Sequence, residues 1–132
     1  MKRDMDLVRL ILLKIEEDYV STALYNIDID GYDKETIAYH CRILYEAGFI
    51  LDYDDYYADD ELESFAVSAL TWEGHELLEK VRDNSRWANI KSIIKGKALP
   101  FSIDVLKSVA TTLIAAATEG AVTAYLKNGG QP

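Results

Sequence analysis

The chain opens with apolar residues at helical spacing. The apolar stripe consists of Leu7, Leu10, Ile11 and Ile15. This pattern of i, i+3 and i+4 positions is typical of an amphipathic helix that buries one face. Asp4 or Asp6 can cap the start of the helix, because a carboxylate accepts hydrogen bonds from the free N–H groups of the first turn. We therefore predict a first helix that ends near Glu17.

A second helix is predicted over residues 34–47, after a capping residue at Asp33. Its apolar face is formed by Ile37, Cys41 and Leu44. Gly48 can adopt the left-handed backbone conformation that commonly ends a helix. The helix is therefore expected to stop before this glycine, and an extended apolar run follows it.

Alternation of apolar and polar residues predicts three short strands. The first covers residues 27–30 and is closed by a turn at Gly31. The second covers residues 49–53, and residues 64–70 form the return strand. Residues 54–63 are then expected to form the tip of a hairpin.

Three further helices are predicted in the C-terminal half. The first is capped by Thr71 and ends near Asp83, and the second ends near Gly96. Ser102 caps the last helix, which is expected over residues 103–126. Together the elements predict an α+β fold in which a helix, a short strand, a helix, a two-stranded hairpin and a helix are followed by a helical extension.

This order predicts a domain over residues 1–84, a helical extension over residues 85–127 and a disordered tail over residues 128–132. Within the domain, Ile43 and Leu44 lie near the end of a helix that Gly48 stops before an apolar strand. That arrangement resembles the recognition helix and first wing strand of winged helix-turn-helix proteins. The resemblance implies a winged-helix-like core, although residues 18–33 are short and Asp-rich where the usual fold has a separate helix.

Two further stretches carry a second resemblance. They are the opening Met-Lys-Arg-Asp-Met-Asp-Leu-Val-Arg and the run Leu-Thr-Trp-Glu-Gly-His-Glu-Leu-Leu over residues 70–78. With the segment around Gly48, they are similar to a small bacterial and phage family of unknown function, over roughly residues 1–95. The resemblance implies a cytoplasmic protein of bacterial or phage origin with a winged-helix-like core, and it implies no activity.

Charge is distributed unevenly along the 132 residues. The formal net charge is -9, and residues 52–63 contain seven acidic residues and no basic one. Such a chain has no general attraction for nucleic acid or an anionic membrane. A single cysteine excludes an internal disulfide, and the opening residues lack the pattern of a secretory signal. We therefore expect a cytoplasmic location.

The acidic run also contains three tyrosines, and this combination favours a protein interface, where tyrosine supplies contact area and carboxylates steer a basic partner. Carboxylates pressed onto phosphates are poorly screened over a Debye length of about 8 Å, so ordinary wing docking on DNA is not expected. We predict a non-enzymatic regulatory or interaction protein. The predicted protein-binding residues are Asp52, Tyr53, Asp54, Asp55, Tyr56, Tyr57, Asp59, Asp60 and Glu61. A mobile, solvated tip and mimicry of DNA are the other interpretations.

The alternative function is a transcriptional regulator that binds duplex DNA with the outward face of the second helix. In winged-helix repressors this face enters the major groove, where an arginine can contact guanine bidentately. The matching residues are Lys34, Thr36, Tyr39 and Arg42. Residues 80–97 add six cations against one acid, which fits a strip along the DNA backbone, neutralisation of the acidic wing, or a solvated helix face.

Catalytic and metal chemistry are not expected. Residues 26–31 imitate the start of a calcium-binding EF-hand loop, but Ile37 stands where that loop needs a bidentate glutamate. Two histidines and one cysteine do not close a zinc site without a carboxylate. We expect Cys41 to be a small buried residue, and His40 and His75 to be hydrogen-bonded residues at the surface or its boundary. No cofactor and no metal are predicted.

The last helix, over residues 103–126, is apolar on nearly all sides. Its charged residues are Asp104, Lys107 and Glu119. Because its many small residues let another helix approach closely, we expect a homodimer that pairs through this segment. A cover over the domain's own core and a membrane span are the alternatives, and the alanine and threonine content disfavours the span.

Overall fold

The computed structural model describes residues 1–129, which form five helices and a three-stranded antiparallel sheet. In chain order the elements are α1 (Met5–Asp18), β1 (Leu24–Tyr25), α2 (Lys34–Glu46), β2 (Tyr53–Ala58), β3 (Glu61–Val67), α3 (Trp72–Val81), α4 (Asn84–Gly96) and α5 (Ile103–Lys127). The α+β class predicted from the sequence is confirmed. The chain divides into two compact units, residues 1–79 and the segment from Lys80 onward. Residues 130–132 of the predicted tail lie outside the described residues.

Helices α1 and α2 both begin at an aspartate, as predicted. The Asp4 carboxylate accepts hydrogen bonds from the backbone N–H groups of Asp6 and Leu7, at 2.9 and 3.2 Å. Asp33 accepts one from the N–H of Thr36 at 2.8 Å. These bonds satisfy N–H groups that a helix leaves without an internal partner, so each carboxylate stabilises the helix start by about 1 kcal/mol.

The apolar faces of α1 and α2 pack into the core of the first unit. Residues with almost no exposed surface in these helices are Leu7, Ile11, Leu12, Ile15, Ile37, Cys41 and Leu44. Full burial of one aliphatic side chain of this size contributes about 1.5–3 kcal/mol. Gly48 follows α2 with a φ of 85°, the left-handed conformation expected from the sequence.

The sheet has the strand order β1–β3–β2, so β3 is the central strand. Val67 of β3 pairs with Leu24 on one side and with Tyr53 on the other. The core face of β3 carries the buried residues Leu62, Phe65 and Val67. The register shifts after Tyr56, which leaves Glu63 as the extra residue of a β-bulge.

The β2–β3 hairpin is longer and more regular than predicted. Both strands extend into the acidic run, and the turn between them consists of Asp59 and Asp60 alone. Their φ angles are 52° and 65°, which is the backbone of a two-residue hairpin turn, and aspartate is among the few residue types that tolerate it. The predicted tip over residues 54–63 is therefore wrong, because most of its residues pair across the hairpin. The return strand predicted over residues 64–70 is formed in part, since β3 begins at Glu61 and ends at Val67.

The strand predicted over residues 27–30 is not formed. The chain leaves the sheet at Asn26, whose φ is 50°. The N–H of Asn26 donates to the carbonyl oxygen of Phe65 at 2.9 Å, and its side-chain oxygen accepts from the N–H of Phe65 at 3.0 Å. This double contact ends β1 after Tyr25, and Gly31 then turns the chain with a φ of 90°.

The segment before β2 pairs only locally. Ile50 forms an isolated bridge with Leu70, and the N–H of Leu51 donates to the carbonyl oxygen of Ala69 at 2.8 Å. Regular strand geometry begins only at Tyr53. The strand predicted over residues 49–53 is therefore misplaced, although the pairing partner is the chain segment that was expected.

A tight junction joins the start of α3 to the turn after α2. Thr71 Oγ1 accepts a hydrogen bond from the N–H of Gly74 at 3.0 Å and donates one to the carbonyl oxygen of Gly48. The N–H of Thr71 donates to the carbonyl oxygen of Phe49 at 3.1 Å. A Cβ atom on Gly74 would overlap that same carbonyl. The Leu-Thr-x-x-Gly run therefore caps α3 and permits this close approach of backbones.

The second unit is built from α4 and α5. Asp83 caps α4 by accepting a hydrogen bond from the N–H of Arg86 at 2.8 Å, so α3 ends at Val81 and not at the predicted Asp83. The core of the unit includes Trp87, whose ring lies 5.7 Å from that of Phe101. Other buried residues of the unit are Ile90, Ile94, Leu106 and Ala110.

Helix α5 is buried only along its first half. Ser102 caps it by accepting a hydrogen bond from the N–H of Val105 at 3.2 Å. From Ala115 to the end of the helix every residue is exposed. By length and composition α5 is the helix among residues 1–129 that is able to cross a bilayer. Those two properties do not distinguish a membrane span from a helix that pairs with another helix.

Candidate interaction surface on the β2–β3 hairpin

The outer face of the sheet carries large side chains on its edge strands and small ones on its central strand. Tyr25 of β1 and Asp54 of β2 both pair with Ala66 of β3, and Tyr56 of β2 pairs with Ser64. Because side chains alternate between the two faces of a strand, these five residues lie opposite the core face. The two tyrosine side chains are 72% and 63% exposed, so the edges of this face stand open to solvent.

These side chains enclose a groove with a volume of about 230 Å³. Tyr25 and Tyr56 line its sides together with Asp52 and Asp54, and the small central residues form its floor. Pockets for drug-sized ligands measure about 300–1,000 Å³. The groove is therefore of a size that suits one side chain of a partner. We call it the tyrosine–aspartate groove.

Each of the two groove carboxylates has one local hydrogen bond. Asp52 Oδ1 accepts from the N–H of Tyr53 at 2.9 Å, and Asp54 Oδ1 accepts from the N–H of Asp55 at 3.0 Å. Among residues 1–129, no lysine or arginine forms an ion pair with Asp52 or Asp54. The second oxygen of each carboxylate therefore remains available to a partner.

A further polar group lies beside the groove. Ser68 belongs to its lining, and the hydroxyl oxygen of Ser68 is shielded from solvent. Within the described part of the chain this oxygen has no hydrogen-bond partner. Buried hydroxyl groups nearly always have one, so this oxygen is an exception within the described residues.

Three of the nine predicted protein-binding residues lie on the other face: Tyr53, Asp55 and Tyr57, which pair with Val67, Phe65 and Leu62 of β3. The ring of Tyr53 stacks on that of Phe65 with 6.4 Å between ring centroids, and its hydroxyl donates to Asp55 Oδ2 at 2.9 Å. Burial, followed by this hydrogen bond, raises the pKa of Tyr53. Tyr53 and Asp55 are both half-buried, so they support the hairpin from within.

Four of the predicted residues lie at or next to the turn. Tyr57, Asp59, Asp60 and Glu61 are exposed, and none of them lines the tyrosine–aspartate groove. The three carboxylates among them, on Asp59, Asp60 and Glu61, add negative charge at the end of the hairpin without a concave surface. They provide a natural comparison for the groove carboxylates, because their charge is the same and their position differs.

The predicted DNA-contacting face of α2 makes contacts within the first unit. Lys34 Nζ donates to the carbonyl oxygen of Glu63, the bulged residue of β3, at 2.9 Å. The guanidinium of Arg42 lies 5.3 Å from the centre of the Tyr39 ring, and Arg42 Nε is 3.9 Å from the Glu46 carboxylate. Both cations of this face therefore already have acceptors in the protein. Thr36 is half-exposed, and the nearby Ala38 is buried.

His40 is fully buried, which corrects the expectation of a surface or boundary residue. One ring nitrogen, Nδ1, lies 2.8 Å from the carbonyl oxygen of Thr36, and Nε2 accepts a hydrogen bond from the N–H of Asp4 at 2.8 Å. These partners require a neutral ring with its proton on Nδ1. His40 thus joins α2 to the residue that caps α1. Its place three residues after Ile37, at the edge of the apolar stripe, is the sequence signal that indicates burial.

Cys41 and His75, the other candidate reactive residues, lie in surroundings that do not activate them for catalysis or metal binding. Cys41 is a buried free thiol, as predicted, and burial raises its pKa to about 12. His75 is exposed, with Nδ1 4.0 Å from the Glu16 carboxylate. In the part of the chain that the structure describes, no group of three or more His, Cys, Asp or Glu side chains is arranged to hold a metal ion.

Fold and surface together define a small α+β protein with an acidic, tyrosine-bearing hairpin. The chain belongs to the family described as "Hypothetical protein (DUF2513)", whose model matches residues 2–100. An uncharacterized protein of Haemophilus influenzae is 43% identical over 115 residues, which cover 86% of this chain and 96% of the relative. No solved structure matches the chain. The expectation of a bacterial family of unknown function is confirmed, and the family match ends before α5 begins.

Proposed function

We propose that the protein is a non-enzymatic interaction protein that binds a basic partner protein through the outer face of the β2–β3 hairpin. The observation that carries the proposal is the placement of the acidic and aromatic residues on paired strands and not in a mobile loop. A surface that is already ordered loses little conformational entropy when a partner binds. Less of the free energy gained from contacts with the partner is therefore lost in ordering the hairpin, and the complex is correspondingly tighter.

The chemistry of the surface matches a basic protein. Exposed tyrosines supply large, rigid contact area, which is why they are common among the residues that dominate binding energy. Unpaired carboxylates around them raise the association rate of a cationic partner and repel an anionic one. Tyr25 and Tyr56 lie beside Asp52 and Asp54 in this way.

The proposal includes a winged-helix-like core, in which α2 stands in the position of the recognition helix and the β2–β3 hairpin in that of the wing. The element order from α1 to α3 supports this assignment. The segment between β1 and α2 departs from the usual fold, because its regular structure is limited to turns where another helix is expected.

Duplex DNA is the alternative partner. Affinity for DNA comes largely from cations that neutralise phosphates. On α2, Lys34 contacts the hairpin backbone and Arg42 contacts Tyr39 and Glu46. The cations of the proposed recognition helix are therefore less available to phosphates than the hairpin carboxylates are to a basic protein. Mimicry of DNA is a special case of the same proposal, in which the partner is itself a DNA-binding protein.

The test is affinity capture from a lysate of the source bacterium with three forms of the full chain. They are the wild type, a hairpin variant (D52N, D54N, D59N and D60N) and an α2 variant (K34A and R42A). We expect the wild type and the α2 variant to retain the same partner, and the hairpin variant to lose it. A low-salt mobility shift on duplex DNA that the α2 variant abolishes would instead favour the regulator.

We further propose that the protein forms a homodimer through residues 103–126. The exposed apolar residues in the second half of α5 support this proposal, because a monomer leaves Val122 and Leu126 in water, 51% and 68% exposed. Light scattering should give twice the chain mass of 14.9 kDa for the wild type and one chain mass for V122E/L126E. Charges placed on the opposite side of the helix, in A117E/A124E, provide the control. A monomeric wild type, or flotation of the wild type with liposomes, would contradict the dimer.

A further inference from the structure

We propose that the tyrosine–aspartate groove binds the guanidinium group of an arginine side chain on the partner. This inference rests on the proposed function and names the chemistry of its central contact. It depends on three features of the groove: its carboxylates, its aromatic walls and its small floor.

The carboxylates supply the charge and the acceptor atoms. Asp52 and Asp54 each keep one oxygen that no other residue within residues 1–129 engages. A guanidinium presents several N–H donors in a planar fork and pairs with carboxylates through two parallel hydrogen bonds. Two carboxylates beside one groove can therefore accept from both edges of a single guanidinium.

The aromatic walls supply a complementary surface for a planar cation. Tyr25 and Asp54 stand on the two strands that flank β3, opposite the same residue, Ala66. Neighbouring strands lie about 4.8 Å apart, so these two positions are separated by about 10 Å. The faces of aromatic rings attract cations, and a guanidinium also stacks on them. Tyr56, two residues along β2 from Asp54, offers a second ring.

The floor gives the groove its depth. Ser64 and Ala66 are the central-strand residues beneath the tyrosines, and neither side chain is large enough to fill the space between the edge strands.

Arginine suits the groove better than lysine or a metal ion. A lysine ammonium is a compact, strongly hydrated charge that neither stacks on a ring nor pairs bidentately. Hard metal ions require several oxygen ligands converging on one point. The groove instead offers two separated carboxylates beside aromatic side chains, and no group of three or more His, Cys, Asp or Glu among the described residues is arranged to hold a metal ion.

The experiment uses the full-length protein and three short peptides: tetra-arginine, tetra-lysine and tetra-citrulline. Backbone amide chemical shifts are followed by NMR during each titration. We expect tetra-arginine to shift the amides of Tyr25, Asp54, Tyr56 and Ala66. Binding of tetra-lysine should be at least about threefold weaker, because stacking and bidentate pairing are lost. Tetra-citrulline, which has the same shape without the charge, should not bind.

Matched variants separate the groove from the general negative charge of the hairpin. D52N/D54N removes two charges inside the groove and keeps the Oδ1 acceptors of both local hydrogen bonds. It should weaken tetra-arginine binding about tenfold. D59N/D60N removes two charges outside the groove and should weaken it less than about twofold. Y56L, which keeps apolar bulk and removes the ring, should weaken binding about threefold.

Three results would overturn the inference: equal weakening by the two double variants, equal binding of tetra-citrulline, or shifts confined to the turn at Asp59 and Asp60. Each would show either that cationic peptides bind to the overall negative charge of the hairpin and not to the groove, or that peptide charge does not affect binding. The broader proposed function has its own, separate failure, which is retention of the captured partner by the hairpin variant. If the hairpin variant loses the captured partner but D52N/D54N and D59N/D60N weaken peptide binding equally, the arginine site is rejected and the proposed function is not.

Discussion

The two units of the chain carry opposite charge. Residues 1–79 contain twenty acidic and six basic residues, a formal charge of -14, whereas the segment from Lys80 onward contains three acidic and eight basic residues, a formal charge of +5. The net charge of -9 is therefore the sum of two contributions of opposite sign. Since the potential near a surface determines which partners it attracts, partner chemistry has to be assigned unit by unit. The cationic partner that we propose is attracted by the negative charge of the first unit.

The units also differ in what holds them together. The first unit joins segments distant in sequence through buried polar contacts and close backbone approach, at His40 and at Gly74. In the second unit, the described contacts are mainly helix packing around Trp87, and the far half of α5 is exposed. Equivalent substitutions should therefore have different effects in the two units, and the largest effects should fall in the first.

Two glycines provide the largest expected difference. Gly74→Ala places a methyl group on the Phe49 carbonyl, and should destabilise the protein by about 3 kcal/mol. Gly120→Ala, in the open part of α5, meets no atom within 4 Å and should stabilise the helix by up to about 1 kcal/mol, because alanine has the better helix propensity. Urea denaturation followed by circular dichroism measures both. Equal effects of the two substitutions would contradict the close approach at Gly74.

The two histidines should differ by a smaller amount. His40→Ala leaves the N–H of Asp4 without its acceptor and removes a buried ring, and should cost about 2–3 kcal/mol. His75→Ala removes an exposed side chain and should change stability by less than about 0.5 kcal/mol. Unfolding free energies from the same urea titrations give the comparison. If both substitutions lower the free energy of unfolding by the same amount, the buried contacts of His40 do not have the structural role assigned to them.

Substitutions in the hairpin turn show whether the residues of this turn are the most stable choice for its backbone conformation. The pair D59N/D60G replaces two aspartates held at positive φ with the residues that a two-residue hairpin turn prefers. It should raise stability by about 1 kcal/mol, because left-handed backbone is unfavourable for most side chains. Thermal unfolding provides the measurement. Unchanged or lower stability would mean that Asp59 and Asp60 make a favourable contribution in this turn.

The buried thiol of Cys41 predicts a pH dependence above neutrality. The thiol pKa rises from its ordinary value of 9.0 to about 12 in the folded chain, so between these values the unfolded chain loses a proton that the folded chain keeps. The stabilisation from the neutral thiol is therefore present below pH 9 and declines as the pH rises through that window. Cys41→Ala should reduce the loss of stability between pH 8 and pH 10. Iodoacetamide should label the wild type at pH 8 only after urea unfolding.

Local signals in the sequence determined the helices and their ends. Caps at Asp33, Thr71 and Ser102 and the stop at Gly48 all lie where predicted. The reason is that a cap depends on residues within one turn of each other, so its chemistry is visible in a short stretch of chain. The acidic and aromatic residues of the hairpin are visible in the same way, and so is the burial of Cys41 on the stripe of α2.

Tertiary structure decided which hairpin residues face outward. Strand pairing joins residues far apart in sequence, and a shift of one residue exchanges the two faces of a strand. Asn26 ended β1 through its contact with Phe65, the bulge at Glu63 set the register, and Tyr53 and Asp55 turned to the core side. The groove arises only where Tyr25 and Tyr56 flank the small residues of β3. Because that arrangement depends on three strands from separate parts of the chain, composition and periodicity did not reveal it.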